Sequence, residues 1–409
     1  MKISQQDWSR RKFINTISGT GALLLSSPAW LWAAEEADPR VAAIVAKTMG
    51  IDTHNHVDVP LKAAELPGPK IDLTGELKNS GFTAICMTFA VDYQKLNHPG
   101  EAYERFQNGM HAMDKVLESN HIKRALNLND LHNARQKNTP TVIQSLEGAH
   151  FLEGKLNRLG IAYGKGLRHL GLFHDSDASV ALGDVYTNEP KYRGMTYFGV
   201  EVIRECNKLG ILVDLTHASN DTLDLAIRVS SKPVLISHTG LETRLGKNEQ
   251  LAQMMLPRLI SSRMAKFVAN EGGLIGVWTH LADSPLEYAQ NVRAMVEVVG
   301  IDHVCIGTDT KLTPAYRSPG DSGPGPGGNH PNQRKDGPPQ EKNGQNGPSE
   351  DKKPRRAGER TNECWHDQTV GFYYAIVDAL LKTGFTEEEI GKIGGENFCR
   401  VFDAATKGH

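Results

Sequence analysis

The chain of 409 residues has few cysteines, no surplus of charge of one sign and no long unbroken apolar run. Its five cysteines are scattered, odd in number and never in Cys-x-x-Cys spacing, which argues against a disulfide framework and against a thiolate zinc site. Most are expected to be buried free thiols, and a Cys364–Cys399 pair is left open. The formal net charge of −2 gives no basic excess, so nucleic acid is not expected as a partner.

The N-terminus has the composition of an export signal. Arg10 and Arg11, with Phe13 two residues further on, precede an uncharged run that ends in small residues near Ala34. The paired arginines resemble a twin-arginine signal, so residues 1–36 are predicted to direct export of the folded protein to a bacterial periplasm. Glycines and a proline break the run, which is short for a membrane span. A mature form without a transmembrane anchor is expected, and a retained anchor is the alternative.

Short apolar runs alternate with longer amphipathic stretches along most of the chain. Continuous apolar runs are typical of parallel strands that are covered on both faces, with crossover helices between them. The predicted strands are Met49–His54, Thr83–Phe89, Thr141–Leu146, Leu167–Phe173, Ile211–Leu215, Val234–Ser237, Leu274–Trp278 and His303–Gly307. Predicted helices include Glu101–Ser119, Phe198–Leu209, Asp221–Val229, Pro257–Asn270, Leu286–Val299 and Cys364–Thr383.

Strand–helix units in such a series predict an α/β fold, a TIM (β/α)8 barrel, over residues 37–312 and 361–409. The alternative is a doubly wound open sheet. The barrel is favoured because nearly every predicted strand ends in an ionisable residue, whereas an open sheet would gather ligands mainly at its switch point.

Residues 313–360 have a different composition, dominated by proline, glycine, asparagine and charged residues. Such a segment has too few apolar residues to form a core, so it is predicted to be a disordered insertion after the eighth strand. An inert excursion is favoured over a lid or docking loop.

Five residues at predicted strand ends are candidate metal ligands. His54 and His56 occupy alternate positions at the end of the first strand, so both can face one ion. Glu147 follows the third strand, and His217 and His238 close the fifth and sixth. Imidazole suits Zn²⁺ and similar ions. Five protein ligands exceed what one catalytic zinc with an open position takes, but they fit two ions that share the carboxylate.

Two further residues are candidates for the chemistry itself. Asp309, at the tip of the eighth strand, is placed to take a proton from metal-bound water and to pass it to a leaving amine. His174, after the fourth strand, is expected to polarise or orient the scissile carbonyl. His280 is left unassigned, and His169 is expected only to pack.

Several segments together resemble the membrane (renal-type) dipeptidase family of zinc peptidases. The resemblance covers almost all of the chain outside the export signal and residues 313–360. Its most specific piece is the fifth strand with the helix before it. The matching segments are IDTHN at 51–55, SLEG at 145–148, LRHLGLFH at 167–174, GMTYFG at 194–199, LGILVDLTHAS at 209–219, PVLISHT at 233–239, the Gly307-x-Asp309 tip and ENFCRVF at 396–402.

The resemblance implies a TIM barrel of the metal-dependent hydrolase type and a role for each candidate. His54 and residue 56 would bind one metal and Glu147 would bridge, while the second metal would lie between the histidines at 217 and 238. His174 would contact substrate near the reacting carbonyl, and Asp309 would hold the substrate amine or move the proton. The family hydrolyses dipeptides, some with a D-residue on the C-terminal side, and is commonly dimeric, so a homodimer is also an expectation.

The chain departs from the family in three places. The family has Asp-x-His-x-Asp in its first motif, whereas residue 56 here is His. It has Gly-x-Asp-x-Asp-Gly in its last motif, whereas Lys311 here takes the place of the second acid. It also has an arginine that grips the substrate carboxylate, for which Arg244 is the nearest candidate although its spacing from His238 is short. Arg258 is another.

The departures leave two questions open. In a second register, His56 and Asp58 would form the His-x-Asp pair, although the lead-in from Ile51 favours His54 and His56. The favoured function is hydrolysis of small amides, foremost dipeptides, by a hydroxide that bridges two metals. An amidohydrolase-type enzyme on lactones or acylated amino acids is the alternative, and a non-catalytic binding protein is a third hypothesis.

Overall fold

The computed structural model describes residues 37–316 and 358–408, which form a closed parallel barrel. The strands follow one another around the barrel in chain order, and β1 pairs with both β2 and β8. The predicted TIM barrel is therefore confirmed. The barrel strands are β1 Ile51–His56, β2 Ala84–Thr88, β3 Thr141–Leu146, β4 Leu167–Gly171, β5 Leu212–Asp214, β6 Leu235–Thr239, β7 Leu274–Val277 and β8 Val304–Ile306. A short ninth strand, β9 Thr310–Lys311, pairs with the end of β1 and was not predicted.

Helices follow the strands and cover the outside of the barrel. Those up to β6 are α1 Pro39–Lys47, α2 Leu73–Ser80, α3 Glu101–Ser119, α4 Leu128–Gln136, α5 Arg158–Gly164, α6 Tyr197–Leu209 and α7 Asn220–Val229. Those after β6 are α8 Glu249–Met255, α9 Ser262–Asn270, α10 Pro285–Val299, α11 Phe372–Lys382, α12 Glu387–Gly391 and α13 Asn397–Thr406. No helix in residues 37–316 or 358–408 is long and apolar enough to cross a membrane.

Two predicted helices begin later than the sequence pattern indicates. The stretch predicted as Pro257–Asn270 is a 3₁₀ turn over Leu256–Arg258 and then α9, because the Ser261 hydroxyl accepts a hydrogen bond from the Met264 amide and caps a new helix. The stretch predicted from Cys364 becomes helical only at Phe372, after Gly371, where a side chain would collide with the backbone of α2.

The barrel is closed at its N-terminal end by the last helix. Phe398 and Phe402 of α13 pack in one buried cluster with Ile51, Ile143 and Leu212 from the barrel strands. The contact removes these apolar side chains from water at the bottom of the barrel. The C-terminal ends of the strands are left for the polar residues described below, as in other barrels of this kind.

The upper part of the barrel is packed too closely for any side chain at two glycines. A Cβ atom on Gly307 would lie 1.7 Å from the carbonyl oxygen of Ser237, and one on Gly276 would lie 1.9 Å from the same atom. That carbonyl oxygen also accepts a hydrogen bond from the Thr53 hydroxyl at 2.8 Å. It is therefore held by this hydrogen bond as well as by its close contact with the two glycines.

Gly307→Ala is therefore expected to lower the free energy of unfolding by about 1–3 kcal/mol or more, because the backbone of β6 must move. Urea denaturation would measure the change. Gly160→Ala is the matched control, since Gly160 lies in α5 with nothing within 4 Å of an added Cβ. Equal stability of the two variants would contradict the close packing of β6 against β8.

All five cysteines are free thiols, and four of them are buried. The pair left open between Cys364 and Cys399 is not formed. The predicted export signal, residues 1–36, lies outside the described residues, as does the centre of the predicted insertion, residues 317–357. The two ends of the insertion are described. Arg360 forms a β-bridge with Lys311, and the Tyr316 hydroxyl donates to Glu65 at 3.1 Å.

Candidate metal centre

The five predicted ligands meet at the C-terminal end of the barrel, and all point their ligand atoms inward. On one side, His54 Nε2 lies 3.2 Å from His56 Nε2 and 3.5 Å from Glu147 Oε1. On the other side, His217 Nε2 lies 3.0 Å from the same Glu147 oxygen and 3.2 Å from His238 Nε2. Glu147 is thus common to both pairs. Strand β1 runs to His56, two residues further than predicted, and this places both of its histidines within the strand.

The spacing of these atoms fits metal ions. Zinc–nitrogen and zinc–oxygen bonds of ~2.0–2.2 Å in tetrahedral geometry separate neighbouring ligand atoms by about 3.3–3.5 Å. The four separations given for His54, His56, Glu147, His217 and His238 run from 3.0 to 3.5 Å. Three groups of three side chains have their ligand atoms within 4.8 Å of one another: His54 with Glu147 and His238, His54 with His56 and Asp309, and Glu147 with His174 and His217. The donor set of imidazoles and carboxylates is one that Zn²⁺ and related ions take.

Hydroxyl groups hold the outer ring nitrogens of three of the histidines that are candidate ligands. Ser237 Oγ lies 3.2 Å from His54 Nδ1 and 3.0 Å from His238 Nδ1. Tyr93 Oη lies 2.5 Å from His56 Nδ1. With Nδ1 engaged, each ring keeps Nε2 for an ion and is fixed in orientation.

The fourth histidine, His217, is held by a small polar network. Its Nδ1 lies 2.6 Å from the Tyr186 hydroxyl and 3.1 Å from Asp175 Oδ1. Arg258 Nε donates to the same hydroxyl at 2.8 Å, and the guanidinium also pairs with Asp175. Sequence reasoning missed Tyr93, Tyr186 and the role of Asp175. Of these three residues, only Asp175 could have been found from the sequence, because it directly follows the candidate His174.

Glu147 is a buried carboxylate. Its side chain is 4% exposed, and burial alone would raise its pKa. The protonated His174 is the leading charge that acts against burial, and it holds the pKa of Glu147 well below its usual range. The group is therefore ionised across the neutral range and can attract cations from both sides.

His174 lies beside the centre and is held by Asp92, a residue that sequence reasoning also missed. His174 Nδ1 donates to Asp92 at 2.8 Å, and Ser176 Oγ donates to the same carboxylate at 2.6 Å. Burial lowers the pKa of His174, but Asp92 and then Glu147 raise it, to about 10. The ring is therefore protonated near neutral pH, and its Nε2, 3.3 Å from Glu147 Oε2, is a hydrogen-bond donor that faces the centre.

Asp309 also reaches the centre. Its Oδ1 lies 3.2 Å from His56 Nε2, and its Oδ2 lies 2.5 Å from Nε2 of His280, the histidine that had no predicted role. Asp309 and His217 both adopt left-handed backbone conformations, with φ of 52° and 69°. Such conformations cost energy for residues other than glycine and are concentrated at functional sites.

The two candidate arginines lie in different surroundings. Arg244 Nε donates to Asn291 of α10 at 3.0 Å. Arg258, through Tyr186 and Asp175, touches the residues that hold His217. Of the two, Arg258 is connected by contacts to the metal centre, while substrate binding by Arg244 stays a prediction.

Comparisons with known proteins bear on the family and the fold of the chain. The sequence profile of the family described as membrane dipeptidase (peptidase family M19) matches residues 39–316. An uncharacterized dipeptidase of Schizosaccharomyces pombe is 28% identical over 174 residues, which is 40% of this chain and also only 40% of that protein's own length.

Solved structures share the fold at low sequence identity. The probable dipeptidase PvdM from Pseudomonas aeruginosa is 15% identical with a TM-score of 0.66, over 90% of this chain and 100% of the other. A metallopeptidase from Rhodobacter sphaeroides, whose structure holds a phosphinate mimic of the dipeptide L-Ala-D-Ala, is 16% identical with a TM-score of 0.56, over 88% and 99%.

Proposed function

The chain belongs to the membrane dipeptidase family, and from this premise we propose that it hydrolyses the amide bond of dipeptides and related small acylated amino acids with two divalent ions, Zn²⁺ or similar. One observation carries the proposal. Glu147 is shared between two histidine pairs, His54 with His56 and His217 with His238, at distances that suit a pair of ions. A bridged pair of this kind is a recurring solution for hydrolysis.

The five ligands would hold the ions, which would supply Lewis acidity and activation of the attacking water when bound. The protein's own residues would do the rest. His174, kept protonated by Asp92, would donate from Nε2 to the carbonyl oxygen as it gains negative charge. Asp309 would accept the proton of the attacking water and return it to the leaving amine. Arg258 and Arg244 are the candidates for the substrate carboxylate.

The chain departs from the family pattern at residues 56 and 311, and these departures bear on the substrate. The alternative, an amidohydrolase-type enzyme on lactones or other small acyl compounds, is favoured by the His-x-His pair of β1. A binding protein without turnover is the least supported, since every predicted ligand points inward. Export to the periplasm and a homodimer stay predictions.

Removal of metal is the direct test. We expect a chelator to abolish hydrolysis of a dipeptide such as L-Ala-D-Ala and added Zn²⁺ to restore it, because the activity depends on the ions. The substrate panel should contain L,L- and L,D-dipeptides, N-acylated amino acids and lactones. Protein loaded with zinc that opens lactones but cleaves no dipeptide would support the alternative, and turnover of no member would support a binding protein.

A further inference from the structure

We propose that Asp309 is itself a ligand of the ion at His54 and His56, held for that purpose by His280, and that it supplies the negative charge that His56 lacks. The proposal rests on the two-metal centre proposed above. A carboxylate offers about four lone-pair sites, so ligation leaves Asp309 able to accept a proton in the proposed hydrolysis. It concerns the residues of this chain at which the family pattern is broken.

The distances between Asp309 and the two histidines fit ligands of one ion. Asp309 Oδ1 lies 3.2 Å from His56 Nε2 and 3.9 Å from His54 Nε2, and the two imidazole nitrogens are 3.2 Å apart. These separations are close to the edge of about 3.3–3.5 Å expected for ligands around one tetrahedral zinc. His54, His56 and Asp309 are also one of the three groups whose ligand atoms all lie within 4.8 Å.

Asp58, the other acid of this region, is not available as a ligand because it is paired with a lysine. Asp58 is the carboxylate of the alternative His-x-Asp register, but its Oδ2 is 2.8 Å from Lys311 Nζ. Both side chains are buried, at 9% and 6% exposure. Lys311 occupies the position of the second acid in the last motif of the family. In this chain the lysine therefore neutralises Asp58 and holds it in an ion pair, while Asp309 faces the histidines.

The Asp309 carboxylate is held in one orientation by its neighbours. The Asp309 amide donates to the His54 carbonyl oxygen at 3.1 Å, so the residue is fixed against β1. His280 Nε2 donates a hydrogen bond to the second carboxylate oxygen, Asp309 Oδ2, at 2.5 Å. The His280 ring packs edge-on against Trp278 with ring centres 4.9 Å apart. One oxygen is thus bound by His280 and the other is directed at the histidine pair. Outer partners of this kind orient metal ligands.

The number of negatively charged ligands around the first ion also favours Asp309 as a ligand. An Asp at position 56 would give the first ion two carboxylate ligands, one of them the shared Glu147. With His56 only Glu147 is left, and Asp309 restores the second carboxylate. A divalent cation in a buried site is held best when anionic ligands offset its charge. The changes at positions 56 and 311 are then parts of one rearrangement, in which the anionic ligand moves from the end of β1 to the end of β8.

The test compares Asp309→Asn with Asp58→Asn, which removes a carboxylate from the same region. Metal content would be measured after dialysis against zinc buffered by a competing chelator, and thermal unfolding of the metal-free proteins would check folding. We expect the wild type and Asp58→Asn to bind two ions, and Asp309→Asn to bind one ion with the affinity for the second reduced by at least about 100-fold. His280→Gln should weaken the same ion by about 10–100-fold.

Two ions bound with wild-type affinity in Asp309→Asn would overturn the proposal, as would loss of an ion from Asp58→Asn alone. The visible spectrum of the cobalt-loaded protein gives a second readout, because loss of a carboxylate ligand in Asp309→Asn should change the spectrum of the ion at His54 and His56, whereas Asp58→Asn should leave it as in the wild type. Hydrolysis is measured separately. A wild type that binds two ions but cleaves nothing would contradict the proposed function and leave this inference standing.

Discussion

Glu147→Gln is expected to reduce kcat/KM for the best dipeptide by about 10³-fold or more. The carboxylate lies between His54 and His217 and is kept ionised in a buried site, so an amide there would remove the charge common to the two proposed ions. Metal ions contribute several kcal/mol of transition-state stabilisation, and each 1.36 kcal/mol corresponds to about tenfold in rate. Steady-state kinetics with parallel metal analysis would measure the loss.

Glu118→Gln is the matched control for this prediction, since Glu118 is an exposed residue at the end of α3 with a side chain 72% exposed. It should retain wild-type kinetics and metal content. If Glu147→Gln kept two ions and more than about a tenth of the activity, a shared carboxylate would not be required, because a tenfold loss corresponds to only about 1.4 kcal/mol.

His174→Gln is expected to reduce kcat by about 10²–10³-fold while KM changes little, the pattern for loss of a donor that acts mainly in the transition state. The physical reason is the pairing with Asp92, which keeps the imidazole protonated and its Nε2 directed at the centre. Full kinetics on zinc-loaded protein would separate the two parameters.

Metal content distinguishes this role from ligation by His174, which would also lower activity. Two ions in His174→Gln with a low kcat support donation to the substrate, whereas loss of an ion would place His174 among the ligands instead. His111→Gln, an exposed position of α3, should behave as the wild type. A rise in KM with an unchanged kcat would mean that His174 only binds the ground state.

The barrel could be predicted from the sequence because its strands are buried on both faces and therefore consist of short runs of apolar residues. The same property located the candidate ligands, since the end of each run marks the end of a strand to within two or three residues. Side chains at those ends share one rim of a closed barrel, whatever the details of the helices.

What the sequence could not provide are the contacts between residues that no periodicity connects. Tyr93, Asp92 and Tyr186 lie in loops, and their hydroxyl and carboxylate groups reach the histidines only through the folded chain. The pairing of Lys311 with Asp58 spans 253 positions. The late starts of α9 and α11 were missed for a related reason, because a serine cap and a crowded glycine decide them locally.

The floor of the barrel joins the beginning of the described chain to its end, and this sets an order of events during synthesis. The Thr48 hydroxyl bonds to Tyr373 at 2.8 Å across 325 positions, and Phe398 and Phe402 close the bottom cluster around Ile51. Contacts of such high sequence separation form slowly, because a long loop must be closed first. A ribosome-bound chain that still lacks α13 would leave Ile51, Ile143 and Leu212 uncovered at the bottom of the barrel, so the strand that carries His54 and His56 is covered at its base only by the last helix made.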